Sequence, residues 1–482
     1  MHILYNIGFG VSSNHHGELV KTDSLRTAFA TAMSQMYRDE VPLYGDLIRI
    51  VTEVNRKARH GRINSDSLQR MTLERHGAIR LGKPEELHTI RRVFAVLGMQ
   101  PVGYYDLSVA KLPLHATCFR PVDNSSLATN PFRVFTTLLR PDLVRSEQAR
   151  NLALHLLSQR NIFTDELMAI LALAERQHGL YAHEADTFIR EALKTFSWAP
   201  VASSTSDEYN MLKAQHPILA DITCFKTAHI NHLTPRTLNI SLAHSAMGME
   251  GIAVKDRIEG PPRRACPILL RQTSFLALEE PIKFKAQDQL VSGSHKARFG
   301  EIEERGAAVT LAGRQLYDRL LDETMELCSG QEPEAFDQML KHVFQKYPDD
   351  WHQLLLQGLV YFEFQYTGKP LTTDAGTDTL LTMENVYQLV EQGYLEAKPI
   401  TYEDFLPFSA AGIFQSNLGN KSDSRKPSFK PWADPEGFEA AMGCRITDPH
   451  SLYFLAQKLS IENSFLEMSK AAGVKQLPLG SN

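Results

Sequence analysis

Residues 75–82 read Arg75-His76-Gly77-Ala78-Ile79-Arg80-Leu81-Gly82, and residues 228–239 read Ala228-His229-Ile230-Asn231-His232-Leu233-Thr234-Pro235-Arg236-Thr237-Leu238-Asn239. Each is a short, largely apolar run carrying histidine, and runs of this length bounded by turn residues read as strands. Each is followed by a helical pattern and then by three more strand-like runs. After the first comes a helix over 84–99, with Pro84 in its opening turn and Leu87, Ile90, Phe94, Val96 and Leu97 on its apolar side. Strands over 102–107, 114–122 and 132–139 follow. The second run, read as a strand over 223–233, precedes a short helix over 240–249 and strands over 253–258, 268–279 and 296–306. The expected fold class is α+β, with two βαβββ modules over 75–143 and 221–308 building a curved sheet core.

The rest of the chain reads as helical additions. Residues 1–22 are a glycine- and serine-bearing, flexible lead-in, and residues 23–74 carry N-terminal helices, the first marked by Leu25, Phe29, Met33 and Met36 and broken at Pro42. Residues 144–220 form a helical insertion between the modules, a lid or packing layer, with helices over 147–158, 165–177, 185–196 and 206–219. Residues 309–482 add helices over 311–347, 383–392 and 449–472, a strand over 358–366, an aromatic segment over 402–414 closing the site, and an exposed polar loop over 417–436.

The composition excludes several classes. With 51 basic and 56 acidic residues the formal charge is −5, and no Lys/Arg block forms a nucleic-acid stripe. No apolar run reaches the roughly 20 residues of a membrane span, and the N-terminal stretch lacks the basic front and apolar centre of a signal peptide. The five cysteines are scattered and contain no Cys-x-x-Cys pair, which points to reduced thiols in the cytoplasm rather than a disulfide framework or a zinc ribbon. His-Glu-x-x-His, Gly-x-Ser-x-Gly and Gly-x-x-x-x-Gly-Lys-Ser/Thr motifs are absent.

The chemistry gathers on the strands. Strand alternation puts His76, Ala78 and Arg80 on one side, with His76 and Arg80 roughly 13 Å apart along the chain. That layout suits a metal at one end and an arginine gripping a carboxylate at the other, although a surface histidine and a solvated arginine would give the same letters. In the second run His229 and Asn231 share one face and His232 takes the other, and spacing leaves open which histidine is a ligand and which makes a supporting hydrogen bond. Glu301 and Glu303 share a face of the last strand. Two histidines and one carboxylate arriving from separate strands are the ligand set of a non-haem Fe(II) oxygenase, with positions left for a chelating substrate and O2. Zinc or manganese would accept the same ligands, in a hydrolase or isomerase. Arg271 and Gln272 either line the site or form a polar network beneath it.

At these residues the chain resembles the 2-oxoadipate dioxygenase/decarboxylases of the vicinal oxygen chelate superfamily. The resemblance runs from about residue 23 to the final helices and is carried by the stretches 40–44, 74–80, 99–106, 229–236, 269–275, 297–303 and 403–414. It implies that His76, His232 and Glu301 hold Fe(II), choosing His232 over His229. It implies that Arg80 binds the far carboxylate of a 2-oxo dicarboxylic acid, and that His76, His232, Phe408 and Ser409 border that substrate. A smaller aliphatic residue than Phe408 is expected at that position, and the larger ring would shorten the pocket. The implied reaction converts 2-oxoadipate and O2 into 2-hydroxyglutarate and CO2, in lysine breakdown. A related enzyme acting on another 2-oxo acid, and a non-catalytic metabolite-binding protein, are the remaining readings.

Overall fold

The computed structural model describes residues 17–58, 70–287, 289–328, 333–370, 383–406 and 433–471. The expected lead-in lies outside them up to residue 16, as do Phe408, Ser409 and the polar loop up to residue 432. The chain forms a mixed α+β structure of two compact units, one comprising residues 1–259, 272–304 and 404–447, the other residues 260–271, 305–403 and 448–482.

The first unit is built on a five-stranded sheet of order β2-β3-β4-β1-β5. Its strands are β1 (Arg75–Leu81), β2 (Gln100–Asp106), β3 (Leu114–Arg120), β4 (Arg133–Leu139) and β5 (His232–Pro235). The helix Pro84–Val96 joins β1 to β2, so β1 to β4 follow the βαβββ order read from the sequence. β1 runs parallel to β4 and antiparallel to β5, which places it inside the sheet. Both faces of β1 are covered, as its near-continuous apolar letters require. Ile79 and Leu81 join a core with Phe29, Phe94 and Phe188. Ala78 joins a second core with Ala116, Cys118 and Phe135. Gly77 lets β5 come close, because a Cβ there would lie 2.6 Å from Ile230 Cδ1 and 3.2 Å from the His232 carbonyl oxygen.

The second set of strands departs from expectation in two places. Residues 223–233 were expected to be one strand, but the helix Pro217–Thr223 ends where it should begin and only His232–Pro235 pairs with β1. The backbone N–H groups of Ala228 and Ile230 instead donate to the carbonyls of Thr195 and Phe196 at the end of the helix Ala182–Phe196, which satisfies orphan helix-end acceptors. The stretch 253–258 is not a continuous strand, and only Val254 and Glu259 make isolated bridges, to Phe275 and Gln272. Beyond them β6 (Leu270–Ser274) pairs with β9 (Glu301–Arg305), and the unforeseen β7 (Glu279–Ala286) and β8 (Gln289–Lys296) form an antiparallel ribbon between them. The ribbon alternates buried Ile282 and Phe284 with exposed Lys283 and Lys285, a period-two signal diluted by Pro281 and many charges.

Four helices of the insertion, Glu147–Ser158, Asp165–Gln177, Ala182–Phe196 and Ser206–Gln215, fall where their periodicity places them. They bury Leu167, Leu171, Phe188 and Ile189 in the core, so they pack against it. The second unit contains the helices Leu311–Leu327, Pro333–Val343, Trp351–Leu356, Met383–Glu391 and Pro449–Ala471 with a two-stranded sheet, β10 (Phe362–Tyr366) and β11 (Leu395–Pro399). β11 was not foreseen from the sequence. The helix Pro449–Ala471 lies against β10, since the N–H groups of Phe362 and Phe364 donate to Gln457 and Ser460.

Tyr37, on the helix Thr22–Glu40, locks the two sets of strands together. Its buried hydroxyl lies 2.9 Å from the carbonyl of Asn231, just before β5, and 2.7 Å from that of Phe299, just before β9. Replacing Tyr37 by Phe removes this donor from a dry site, and the expected cost is about 1–3 kcal/mol of stability. A denaturant midpoint unchanged in Tyr37→Phe would show that the hydroxyl bridge is not needed.

Candidate metal centre

The sheet register assembles the site. In the antiparallel pairing of β1 and β5, His76 stands opposite Thr234 and Ala78 opposite His232, and directly paired residues share a face. In the parallel pairing of β1 and β4, Arg133 is level with His76. His76, Ala78, Arg80, His232, Thr234 and Arg133 therefore share one side of the sheet. β9 supplies Glu301 and Glu303, whose two-residue spacing points both carboxylates the same way.

These carboxylates bracket the His76 imidazole. Glu301 Oε1 is 2.9 Å from His76 Nε2, and Glu303 Oε2 is 3.1 Å from His76 Nδ1. The His232 ring sits 5.5 Å from that of His76 at a right angle and stacks on Phe299 at 4.7 Å. One donor atom each from His76, His232 and Glu301 lie within 4.8 Å of one another, and all three residues are buried. Phe405 closes the other side of the His76 ring at 4.8 Å and receives the Arg133 guanidinium over its face at 4.6 Å. Asp404 is held by both edges of the Arg120 guanidinium, at 2.8 and 3.1 Å.

Hydrogen bonding settles which nitrogen of His232 is open. The Thr234 hydroxyl lies 3.2 Å from Glu301 Oε1 and 3.0 Å from His232 Nδ1. Its single proton goes to the carboxylate, so it accepts from His232 Nδ1–H, and Nε2 of His232 keeps its lone pair. At His76, Nε2 lies 2.9 Å from Glu301 Oε1, and Nδ1 lies between Glu303 Oε2 at 3.1 Å and an Arg133 Nη2–H at 3.3 Å. A proton or a cation between His76 Nε2 and Glu301 Oε1 accounts for their 2.9 Å separation. Two donors each about 2.1 Å from one divalent ion at a right angle would stand roughly 3 Å apart.

The charges support a cation there. Arg133 pairs with Glu303, Arg120 with Asp404 and Arg80 with Asp221. Among the described residues no arginine or lysine pairs with Glu301, whose Oε1 meets only His76 and Thr234 and whose buried Oε2 has no hydrogen-bond partner. A buried carboxylate left in that state is costly, and a divalent ion would relieve it. Burial raises the Glu301 carboxyl above its ordinary range, with His76 opposing. Burial, with the charges of His76 and Arg80, drives His232 well below its ordinary value, so it stays neutral and able to ligate.

A second buried group lies around Asp221, on the helix Pro217–Thr223. His229 Nε2 and His295 Nε2 approach Asp221 Oδ1 at 3.1 and 2.9 Å, Arg80 pairs with Oδ2, and the Tyr209 hydroxyl meets His295 Nδ1 at 2.8 Å. Burial would raise Asp221, but the Arg80 charge and the two imidazole hydrogen bonds outweigh it and hold the carboxylate well below its usual value. The donor set alone would suit a metal. The arginine already on Asp221 and the two imidazoles hydrogen-bonded to it make this place a hydrogen-bonded network instead.

Of the residues singled out in the sequence, His76, His232 and Glu301 come together, Arg80 lies on the same face beside Asp221, and Phe408 and Ser409 lie outside the described residues. His229, left level with His232 by spacing, belongs to the second group. Gln272 lies 3.4 Å from Glu259 through its side chain. Sequence reading passed over Thr234, Arg133, Phe405, Asp221 and His295. Arg133 carried a signal, because the first and last strands of a βαβββ unit pair in parallel and bring their opening residues level.

A family model described as 2-oxoadipate dioxygenase/decarboxylase matches residues 29–417. The chain belongs to the 2-oxoadipate dioxygenase/decarboxylase family. A Pseudomonas putida protein of that name is 46% identical over 456 residues, covering 92% of this chain and 97% of the relative. An Escherichia coli protein of the same name is also 46% identical, over 448 residues, covering 92% and 98%. The structure of the hydroxyglutarate synthase in complex with 2-oxoadipate from Pseudomonas putida matches with a TM-score of 0.83 at 45% identity, covering 95% of this chain and all of that one.

The raised Glu301 carboxyl sets a pH dependence. Protons compete with the ion at Glu301, so affinity for a divalent metal falls as pH drops, starting above the ordinary carboxylate value of about 4.3. In the metal-free protein the sign reverses: stability from the raised group is full in acid and is lost as pH rises through its folded-state pKa. Anaerobic calorimetric titration with Mn(II) across pH 5–8 checks the first effect, and an affinity flat across that range would contradict it.

Proposed function

We propose that this protein is an Fe(II)-dependent dioxygenase that converts 2-oxoadipate and O2 to 2-hydroxyglutarate and CO2. The observation that carries this reading is the buried His76–His232–Glu301 cluster with its cation-less carboxylate, in a chain 46% identical to named 2-oxoadipate dioxygenase/decarboxylases. The relative bound to 2-oxoadipate supports the substrate class. Imidazole and carboxylate ligands with open positions favour iron.

His76, His232 and Glu301 would hold the ion, which when bound supplies Lewis acidity and a template for the 2-oxo acid and O2. The atoms balance without a second organic substrate: the C1 carboxylate leaves as CO2, one oxygen of O2 completes the new carboxylate and the other becomes the hydroxyl. Thr234 would hold the His232 proton on Nδ1, and Glu303 and Arg133 would brace the His76 ring at Nδ1. Phe405, Phe299 and Ala78 keep water from the ligands, since all three are buried. Arg80 would take the far carboxylate and so fix which carbon faces the metal, with Phe408 and Ser409 bordering the chain of the acid. Positioning of that kind is worth several kcal/mol in favourable cases.

The fold reading goes with this. β1–β4 make one βαβββ module, and β5, the bridges at Val254 and Glu259, β6 and β9 make the second, the β7–β8 ribbon being an elaboration, in a vicinal-oxygen-chelate arrangement. Among the described residues no helix is long and apolar enough to cross a membrane. Five free cysteines suit a reducing compartment, and we place the enzyme in the cytoplasm, in lysine breakdown.

Protein loaded anaerobically with Fe(II) and 2-oxoadipate should, on exposure to air, consume one O2 per CO2 released and yield 2-hydroxyglutarate. Partners of metal-ligating histidines are themselves worth about 10–100-fold, so His232→Ala should lose more than that while keeping the far-ultraviolet circular dichroism of the parent. Oxygen uptake by His232→Ala at the parental rate would sink the ligand assignment, and turnover with zinc in the absence of O2 would sink the reaction.

A further inference from the structure

Arg80 does not stand alone in the interior. Its guanidinium and the carboxylate it meets, Asp221, are both 4% exposed. Asp221 comes from the helix Pro217–Thr223, so the pair ties β1 to a helix that packs behind it. The carboxylate is itself held from several directions: His229 at 3.1 Å, His295 at 2.9 Å, and the Asn231 amide at 3.5 Å. His295 is braced in turn by the Tyr209 hydroxyl at 2.8 Å. Trp198 and Phe225 wall the group, with Trp198 set edge-on to His229 at 4.8 Å and Phe225 4.7 Å from His295.

We infer that Asp221, through this network, is the positioning residue that aims Arg80 at the far carboxylate of the substrate. The inference rests on the reading of Arg80 given above. An arginine side chain carries substantial rotamer entropy. A guanidinium that must also find its own orientation gives back part of the affinity its hydrogen bonds provide, and one already fixed does not. Asp221 engages Nη1 and settles the plane of the fork, and a guanidinium has five N–H donors in all. The cost of this arrangement is a carboxylate near the incoming carboxylate. The imidazole and amide donors answer it, because they spread the Asp221 charge away from Arg80 and keep it from repelling the ligand. Arg80 shares a face with His76 and Ala78, so its orientation bears on the distance between the two ends of the acid.

The role is separable from a general structural one, because it concerns only the far carboxylate. The full-length Fe(II)-loaded protein is titrated anaerobically with 2-oxoadipate and with 2-oxohexanoate, which keeps the chelating end and chain length but lacks the second carboxylate. Asp221→Asn should weaken 2-oxoadipate binding about 10–100-fold, by analogy with residues that orient ligands, and raise its KM more than it lowers kcat. Binding of 2-oxohexanoate should change less than about twofold, with iron content unchanged. In an Arg80→Met background Asp221→Asn should add nothing for either acid. Tyr209→Phe, which removes only the last brace, should show the same preference for 2-oxoadipate with a smaller loss, and serves if Asp221→Asn does not fold. Equal losses for both acids, or a full Asp221→Asn loss in the Arg80→Met background, would overturn the assignment. Should Arg80→Met alone leave the two acids bound as in the parent, the reading of Arg80 fails, and the role of Asp221 with it.

Discussion

One imidazole held between two carboxylates, away from water, organises this site. His76 cannot donate from both nitrogens while neutral, yet each nitrogen faces an acidic oxygen, at 2.9 Å toward Glu301 and 3.1 Å toward Glu303. The surroundings break the symmetry. Glu303 is answered by Arg133, which also lies 3.3 Å from His76 Nδ1 and 3.3 Å from the backbone carbonyl of Asp404. Among the described residues Glu301 is hydrogen-bonded only to a hydroxyl and the ring itself. The Glu303 charge is therefore already answered, and Glu301 is the carboxylate with room for a cation. Burial magnifies both, because charge interactions strengthen as the local dielectric falls.

The same polarity explains the arginines behind the ligands. Arg120 and Arg133 are almost fully buried, yet neither is spent on a surface ion pair. Both fasten the Asp404–Phe405 stretch to the sheet, so that Phe405 packs at a right angle against His76. A buried ion pair is weak evidence for stability, because desolvation offsets most of the attraction. Its worth here is geometric, in holding an aromatic wall against the His76 imidazole.

Much of this was legible in the letters and some was not, for physical reasons. The βαβββ order of residues 75–139 stood out because its strands are covered on both faces and its helix is amphipathic, so period and composition agree. The choice between His229 and His232 was closed to spacing, since it depends on where the strand begins, and that is set by Ala228 and Ile230 donating to a distant helix end. Asp221 was invisible as a partner for Arg80 because the two are 141 residues apart and meet only through packing. The β7–β8 ribbon was missed because a two-stranded element open to solvent carries a weak apolar signal. The aromatic segment over 402–414 was noticed for its composition, but the contact of Phe405 with His76 is a matter of tertiary placement.

β9 shows how tightly register and chemistry are joined. It supplies a ligand candidate at Glu301 and the support of another at Glu303, with Ile302 fully buried on the opposite face. A slip of one residue would turn both carboxylates into the apolar core and present Ile302 to the two histidines. Several bonds fix that register independently of any metal. Phe275 N–H donates to Gly300 O at 2.9 Å, Phe299 N–H to Asn231 O at 3.1 Å and Thr237 N–H to Glu303 O at 2.7 Å. On its N-terminal side the β7–β8 ribbon pairs residue for residue from Glu279 with Lys296 to Ala286 with Gln289, so a slip would have to propagate through its whole length. Gly300 belongs to the same device, since a Cβ there would lie 2.2 Å from the Phe275 ring and 2.9 Å from Leu47. The ribbon that looks peripheral to the chemistry is thus part of what aims it: it clamps the strand whose alternation decides that a carboxylate, and not an isoleucine, meets His76.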